Sequence, residues 1–164
     1  MTQKNSDGAA RGRLMRELST ASRRYMASYA LFNQALADHL GLHPTDLQCL
    51  NLLELEGGPV TTGRVAELTG LTTGSATRLV DRLERAGYVT RERDTHDRRR
   101  VLVACVPERM AEFGALWARL GGAWVSMIDT YADEEIALLT AHMQRTVELS
   151  ATQVERLRAG DFDA

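Results

Sequence analysis

Apolar residues early in the chain fall at Leu14, Leu18, Ala21, Tyr25, Tyr29, Phe32, Leu36 and Leu40, always three or four positions apart. That spacing lines one face of an α-helix and predicts a helix from about Arg13 to Leu40, ended by Gly41. Pro44, followed by Thr45 and Asp46, opens a second helix with proline in its first turn. It carries Leu47, Leu50, Leu53 and Leu55 and stops at Gly57-Gly58-Pro59. Towards the other end, Pro107 opens a long helical segment with Met110, Phe113, Leu116, Trp117, Leu120, Trp124, Met127, Ile128 and Tyr131 on a broad apolar face. Gly121 and Gly122 mark a place where it can bend. Asp133 reads as the N-cap of a last helix, with Glu134 and Glu135 favourable in its first turn. Its stripe is Ile136, Leu139, Met143, Val147, Ser150, Val154 and Leu157, and the tail from Gly160 to Ala164 is expected to fray.

The middle of the chain has shorter periods. Val60 and Thr61 suit a very short strand, and Thr62 is a candidate N-cap for a helix over Gly63–Thr69 that buries Val65, Ala66 and Leu68. Gly70 allows a turn, with Leu71 pointing back into the core. A further helix over about Thr73 to Ala86 puts Ala76, Leu79, Val80 and Leu83 on one face, and Gly87 stands where a C-terminal glycine cap belongs. Two short helices joined by a glycine-containing turn form a helix-turn-helix. Strand-like runs at Tyr88 to Arg93 and Val101 to Val106 then make a hairpin, or wing. Its tip has neither Asn-Gly nor Asp-Gly, so a longer loop is expected.

The predicted fold class is therefore mainly α with a small β-hairpin wing. The expected organisation is a flexible N-terminal arm (1–12), a helical dimerisation region (13–43 and 107–159) and a winged helix-turn-helix DNA-binding domain (44–106). The terminal helices carry more apolar face than a domain of this size covers, and a mutual dimer core is the simplest solution. A monomeric helical bundle is the alternative.

Charge narrows the function. The chain of 164 residues has a net charge of −2, which argues against a nonspecific nucleic-acid binder. Between Arg78 and Arg100, however, eight arginines stand against five acids, a local +3 that leaves −5 elsewhere. A basic segment on an acidic body suits a localised phosphate-binding surface, and arginine suits bidentate contact with phosphates and guanine edges. The two cysteines, Cys49 and Cys105, are far apart and outside any C-x-x-C pair, so neither a disulfide framework nor a thiolate zinc site is expected. No run approaches the roughly 18 apolar residues of a membrane span. The polar N-terminus lacks the apolar stretch of a signal peptide, so a cytoplasmic location without membrane contact is expected. His39 and His43 have the spacing of a metal pair, but Gly41 and Pro44 break the helix around them. There is no phosphate-binding glycine loop, G-x-S-x-G or H-E-x-x-H. Neither catalysis, nor a metal, nor a cofactor is expected.

In a helix-turn-helix the second helix enters the major groove and its N-terminal residues reach base edges. Here that end reads Thr72-Thr73-Gly74-Ser75-Ala76-Thr77-Arg78. Its small hydroxyl residues allow close approach and can hydrogen-bond bases or phosphates; for Thr72 and Thr73 simple capping is the alternative. The expected DNA-binding residues are Thr62, Thr72, Thr73, Ser75, Thr77, Arg78 and Arg82, with Asp97, Arg98 and Arg99 in the wing. Arg78 is the candidate reader of a guanine, and Arg82, one turn on, is placed for a base edge or the backbone. A wing-tip arginine can enter the narrow minor groove, with Asp97 holding a nearby arginine by a bidentate pair. A solvated charged turn is the alternative. Tyr25, Tyr29, His39, His43 and Trp117 are candidates to line an effector pocket, although aromatic residues on a helical stripe are more often core.

The helix-turn-helix, the run from Leu79 through Asp81-Arg82-Leu83 to Gly87-Tyr88-Val89, the wing residues Asp97-Arg98-Arg99 and the strand Val101-Leu102-Val103 together resemble the MarR family of bacterial regulators. The resemblance spans most of the chain. It implies a dimer with intertwined first and last helices, one winged domain per lobe and a pseudo-palindromic double-stranded operator. It also implies a wing arginine, Arg99, supported by Asp97 at the minor groove. Such proteins usually repress, and many release DNA when a small, often phenolic, effector binds. Cys105-Val106-Pro107 departs from the Leu-Thr that commonly caps the helix after the wing. The first helix also lacks the cysteine of the redox-sensing branch. The competing reading is a winged helix used as a protein-interaction module or scaffold, for which three consecutive arginines at the wing have no use.

Overall fold

The computed structural model describes residues 2–95, 97 and 100–161, with side chains from Gly8 onward. Among them the order is α1 (Thr2–Leu40), α2 (Pro44–Glu56), β1 (Val60–Thr61), α3 (Thr62–Thr69), α4 (Thr73–Arg85), β2 (Val89–Arg93), β3 (Val101–Cys105), α5 (Pro107–Ile128) and α6 (Asp133–Ala159). This is the expected winged helix-turn-helix with long N- and C-terminal helices. The chain divides into two units, Met1–Ala111 and Glu112–Ala164.

The core of the first unit is largely the one the periodicities pick out, except that Leu55, only two positions after Leu53 and so on another side of α2, is 83% exposed, and Ala66 and Leu68 of α3 are half-buried rather than buried. Leu47, Leu50 and Leu53 of α2, Val65 of α3 and Ala76, Leu79, Val80 and Leu83 of α4 are buried, with Leu36 and Ala37 from the end of α1. The three strands form one antiparallel sheet in the order β1-β3-β2. Val60 lies opposite Val103, and Val89 opposite Cys105. Val89 of β2 and the adjacent Val103 and Ala104 of β3 are buried.

Helix boundaries differ from the expectation in three places. Helix α1 begins at Thr2 rather than near Arg13, so residues 2–12, expected as a flexible arm, are helical. Once a turn exists, each added residue gains a hydrogen bond without a new nucleation cost, and Ala9, Ala10 and Arg11 propagate helix well. Thr62 is not the cap of α3. That role falls to Thr61, whose hydroxyl accepts from the Arg64 N–H at 3.1 Å. Asp133 is likewise the first helical residue of α6 rather than its cap; Ala132 takes the cap position and its N–H donates to the Glu135 carboxylate at 2.9 Å. Glutamate at the third helical position can thus serve the helix start without a polar cap residue. Helix α5 runs unbroken through Gly121 and Gly122.

Large apolar side chains remain on the surface of the chain. On α1 these include Leu14, Leu18, Tyr25, Met26 and Leu31; on α6, Leu138, Met143, Val147, Leu149 and Leu157. No residue of α6 is buried. Among the described residues no helix is long and apolar enough to cross a membrane.

Candidate nucleic-acid interface

Helix α4 is strongly two-sided. Ala76, Leu79, Val80 and Leu83 are fully buried, whereas Thr72, Thr73, Gly74, Thr77 and Arg78 are exposed. Burial of one face therefore decides which residues the N-terminal end of the helix offers outward. Thr72 is the N-cap, its hydroxyl accepting from the Ser75 N–H at 3.3 Å. The same hydroxyl donates to Ser75 Oγ at 3.1 Å, and Arg78 Nη2 donates to that oxygen at 3.1 Å. Thr77 donates its hydroxyl proton to the Thr73 carbonyl at 2.9 Å. The capping alternative thus holds for Thr72, and the hydroxyls of Thr72, Ser75 and Thr77 already have local partners. Thr73 stands exposed at the first helical position, and Arg78 extends into solvent beside them. Thr62, half-buried at the first position of α3, is the remaining helix-turn-helix candidate.

The other end of α4 closes with two bonds around a left-handed residue. Tyr88 N–H donates to the Leu83 carbonyl and Gly87 N–H to the Glu84 carbonyl, both at 3.0 Å, with Gly87 at φ +77°. This is the glycine-terminated Schellman arrangement, and it turns the chain directly into β2. Val106 N–H donates to the Tyr88 carbonyl at 2.9 Å, and the Arg109 guanidinium lies 4.6 Å from the Tyr88 ring centroid. The start of α5 is thereby fastened to the corner between α4 and the wing.

The arginines divide into two groups. Arg82, expected at a base edge or the backbone, is half-exposed and already paired. Its Nε donates to Asp46 Oδ2 at 2.8 Å and its Nη2 to Asp46 Oδ1 at 2.5 Å, across 36 positions of sequence. Asp46 is only 1% exposed, and an acid on the buried side of α2 accounts for the choice of partner: a buried charge must be paired. The hydrogen bonds it donates to Asp46 raise the Arg82 guanidinium above its ordinary pKa against the effect of burial. Arg91 of β2 is similarly committed, to Asp81 at 2.5 Å and to Glu84, both on α4. Burial pulls its pKa down, and the bonds to the two acids more than restore it. Arg64 of α3 donates to Glu56 at 3.0 and 2.9 Å and to Glu67 at 3.1 Å. The hydrogen bonds with Glu56 lead in raising Arg64 and hold Glu56 below the ordinary carboxylate range. Arg78 and Arg85 remain on the exposed side of α4, with Arg85 Nε donating to the Asp81 carbonyl at 3.1 Å.

At the wing, Asp94 N–H donates to the Arg100 carbonyl at 3.1 Å and Arg100 N–H to the Asp97 carbonyl at 2.9 Å. Asp97 N–H reaches Asp94 Oδ1 at 3.4 Å. Asp97 is exposed. Arg98 and Arg99, the expected minor-groove residues, lie outside the described residues, and so does the expected pairing of Asp97 with either.

The candidate effector residues divide between the two units, Tyr25, Tyr29, His39 and His43 in the first and Trp117 in the second. Tyr25 and Tyr29 are exposed on α1 with ring centroids 6.5 Å apart. His39 lies in the last turn of α1, and His43 caps α2, its Nδ1 accepting from the Thr45 N–H at 3.3 Å. Trp117 belongs to the second unit and meets Phe113 edge-on at 6.2 Å. None of the five lines the cavity of about 280 Å³ in the first unit, whose walls include Leu53, Glu54, Pro59, Cys105 and Met110.

Comparison with known proteins places this geometry. A sequence profile of the MarR family matches residues 40–100, the span from the end of α1 to the wing. An uncharacterized HTH-type transcriptional regulator of Bacillus subtilis (strain 168), YcgE, is 41% identical over 128 residues, covering 78% of this chain and 82% of the relative. The chain belongs to the MarR family. It is an HTH-type transcriptional regulator, in a family of regulators rather than enzymes. Solved MarR structures share its fold at low identity. A MarR family protein from Bacillus stearothermophilus superposes with a TM-score of 0.66 at 23% identity, covering 85% of this chain and 97% of that one. A MepR mutant of S. aureus bound to an oligodeoxyribonucleotide superposes with a TM-score of 0.57 at 16% identity, covering 80% and 96%.

The charged residues that sequence reasoning missed had a visible signal. Asp46 sits four positions before Leu50 and seven before Leu53, on the apolar stripe of α2, where an acid demands a buried partner. Arg91 is two positions after Val89, on the inward side of β2. A charge at a core-facing position is itself a prediction of a counter-charge, though not of which one.

Proposed function

We propose that this MarR-family chain acts as a homodimer that reads a pseudo-palindromic double-stranded operator, represses from it and leaves it when a small effector binds. The observation that carries the reading is the fixed outward face of α4. Four fully buried residues on one side hold Thr73, Gly74, Thr77 and Arg78 outward at the N-terminal end, the end that a recognition helix presents to bases. The oligonucleotide bound by the MepR mutant supports DNA as the partner.

Dimerisation is supported by the surface of the terminal helices. Val147, Leu149 and Leu157 on α6 and Leu14 and Leu18 on α1 are each more than half exposed. Apolar surface on this scale marks a contact with another molecule, and a second copy satisfies it symmetrically. Two copies then carry two α4 helices to half-sites about one helical turn apart. Arg99, with Asp97 beside it in the wing, would add a contact at the flanking minor groove. A small, phenolic effector would act by favouring a dimer whose α4 spacing no longer fits the operator.

Two experiments test this. Sedimentation equilibrium of the purified chain should give twice the monomer mass at micromolar concentration; a monomer would refute the dimeric reading. Arg78→Ala should relax base preference at one position of each half-site, at a cost of about 1–3 kcal/mol against the preferred base. An unaltered preference would show that Arg78 touches phosphate only.

A further inference from the structure

We infer that Asp46 is a positioning residue for DNA reading, acting through Arg82 to fix the rotation of α4 about its own axis. The inference rests on the proposal that α4 reads bases. Burial of Ala76, Leu79, Val80 and Leu83 decides which face of α4 turns outward, but apolar contact is non-directional and leaves the fine setting of the helix azimuth to a directional pair. A bidentate guanidinium–carboxylate pair is directional, because both N–H groups must lie in the carboxylate plane. Asp46 supplies both oxygens from the first turn of α2, at 2.8 and 2.5 Å, and is itself almost wholly buried.

Asp81, the neighbour of Arg82 in sequence, is held from a different side by Arg91 of β2. Consecutive helical residues point about 100° apart. The two pairs therefore brace α4 on two flanks, against α2 and against the wing, and a roll in either direction breaks one of them. Arg78 stands one turn before Arg82 on the same helix, so the azimuth set by the Asp46 pair is the azimuth at which Arg78 and Thr73 are presented. Arg82 is in this view no reader of bases, and its expected place among the DNA contacts passes to an indirect role.

The test compares Asp46→Asn, Arg82→Gln, their double variant and Asp46→Glu in the full chain. Each is titrated by fluorescence anisotropy onto the duplex that the wild type selects from a random pool, and onto a scrambled duplex of equal length and salt. Loss of positioning should lower the affinity ratio of selected to scrambled duplex about tenfold in each single variant, comparable with one mispaired position. Affinity for the scrambled duplex should stay within about threefold, since it depends on phosphate contacts. The double variant should be no worse than either single one, as expected of two residues acting as a unit. If Arg82→Gln weakens binding to both duplexes while Asp46→Asn leaves the ratio unchanged, Arg82 touches DNA directly and the inference is overturned. Asp46→Glu keeps the charge and moves the carboxylate by one methylene, so it serves where the Asn variant does not fold. Full discrimination by a folded Asp46→Glu chain also overturns the inference. A wild type that prefers no duplex defeats the DNA-reading proposal and this inference together; a selective wild type with equally selective variants defeats the inference alone.

Discussion

Replacing Gly87 and Gly74 by alanine, one at a time, separates backbone geometry from packing within a single helix-turn-helix. A Cβ added at either position meets nothing within 4 Å, so neither substitution creates a clash. The backbones differ. Gly87 has φ +77° and ends α4, whereas Gly74 lies in the first turn of the helix without a positive φ. An L-residue in the left-handed region costs roughly 1–2 kcal/mol. Alanine recovers roughly 0.4–1 kcal/mol of that by restricting the unfolded chain. Gly87→Ala should therefore destabilise by about 1 kcal/mol, which for a chain of this length lowers the thermal midpoint by about 2–4 °C. Gly74→Ala enjoys the same unfolded-state gain with no strain, so it should be neutral or stabilising by up to about 1 kcal/mol. Circular dichroism melts at one fixed protein concentration measure both, because association makes the midpoint concentration-dependent. Shifts of the same sign and size would refute the reasoning, since they would show that the conformation at residue 87 carries no special cost.

Three further outcomes follow from the same geometry. Leu79→Ala removes a fully buried side chain from the inner face of α4; urea denaturation should show a loss of about 2–5 kcal/mol, and a loss below about 1 kcal/mol would mean the face is not packed. Thr72→Ala deletes the cap that accepts from the Ser75 N–H and should cost about 1 kcal/mol in the same assay; no loss would mean that Ser75 finds another partner. Cys49 is fully buried, and burial, followed by the fields of Asp46 and Cys105, pushes its thiol up to about 12. The folded chain then keeps this proton while the unfolded chain loses it above its ordinary value of 9.0. Stability is thus lost as pH rises, by about 1.4 kcal/mol between pH 8 and pH 10 relative to Cys49→Ala. Denaturant midpoints that move in parallel for the two proteins would contradict the burial of the thiol.

The periodic elements were legible in the sequence because their burial is repetitive. The stripe of α4 and, apart from Leu55, that of α2 became the buried core, and the glycine stops at Gly41, Gly57, Gly70 and Gly87 all adopt positive φ. Helix starts were less legible, since Thr61 and Thr62 offer the same capping hydroxyl and the start at Ala132 relies on the Glu135 side chain rather than on a polar cap residue. The interface residues split for a physical reason. Thr73 and Arg78 are exposed simply by the phase of α4, which periodicity reports. Whether Arg82 is already paired depended on Asp46, 36 positions away, and no local pattern links the two. A local surplus of arginine likewise overstated the available positive charge, because Asp46, outside the counted segment, pairs with Arg82.

The central claim is that two copies of α4 read two half-sites of one operator. Selection of bound duplexes from a random DNA pool by the purified chain, at near-physiological salt, tests it most directly. The account predicts enrichment of an inverted repeat whose half-sites lie about one helical turn apart. Absence of any enriched sequence, with only weak binding that falls steeply with salt, would contradict it.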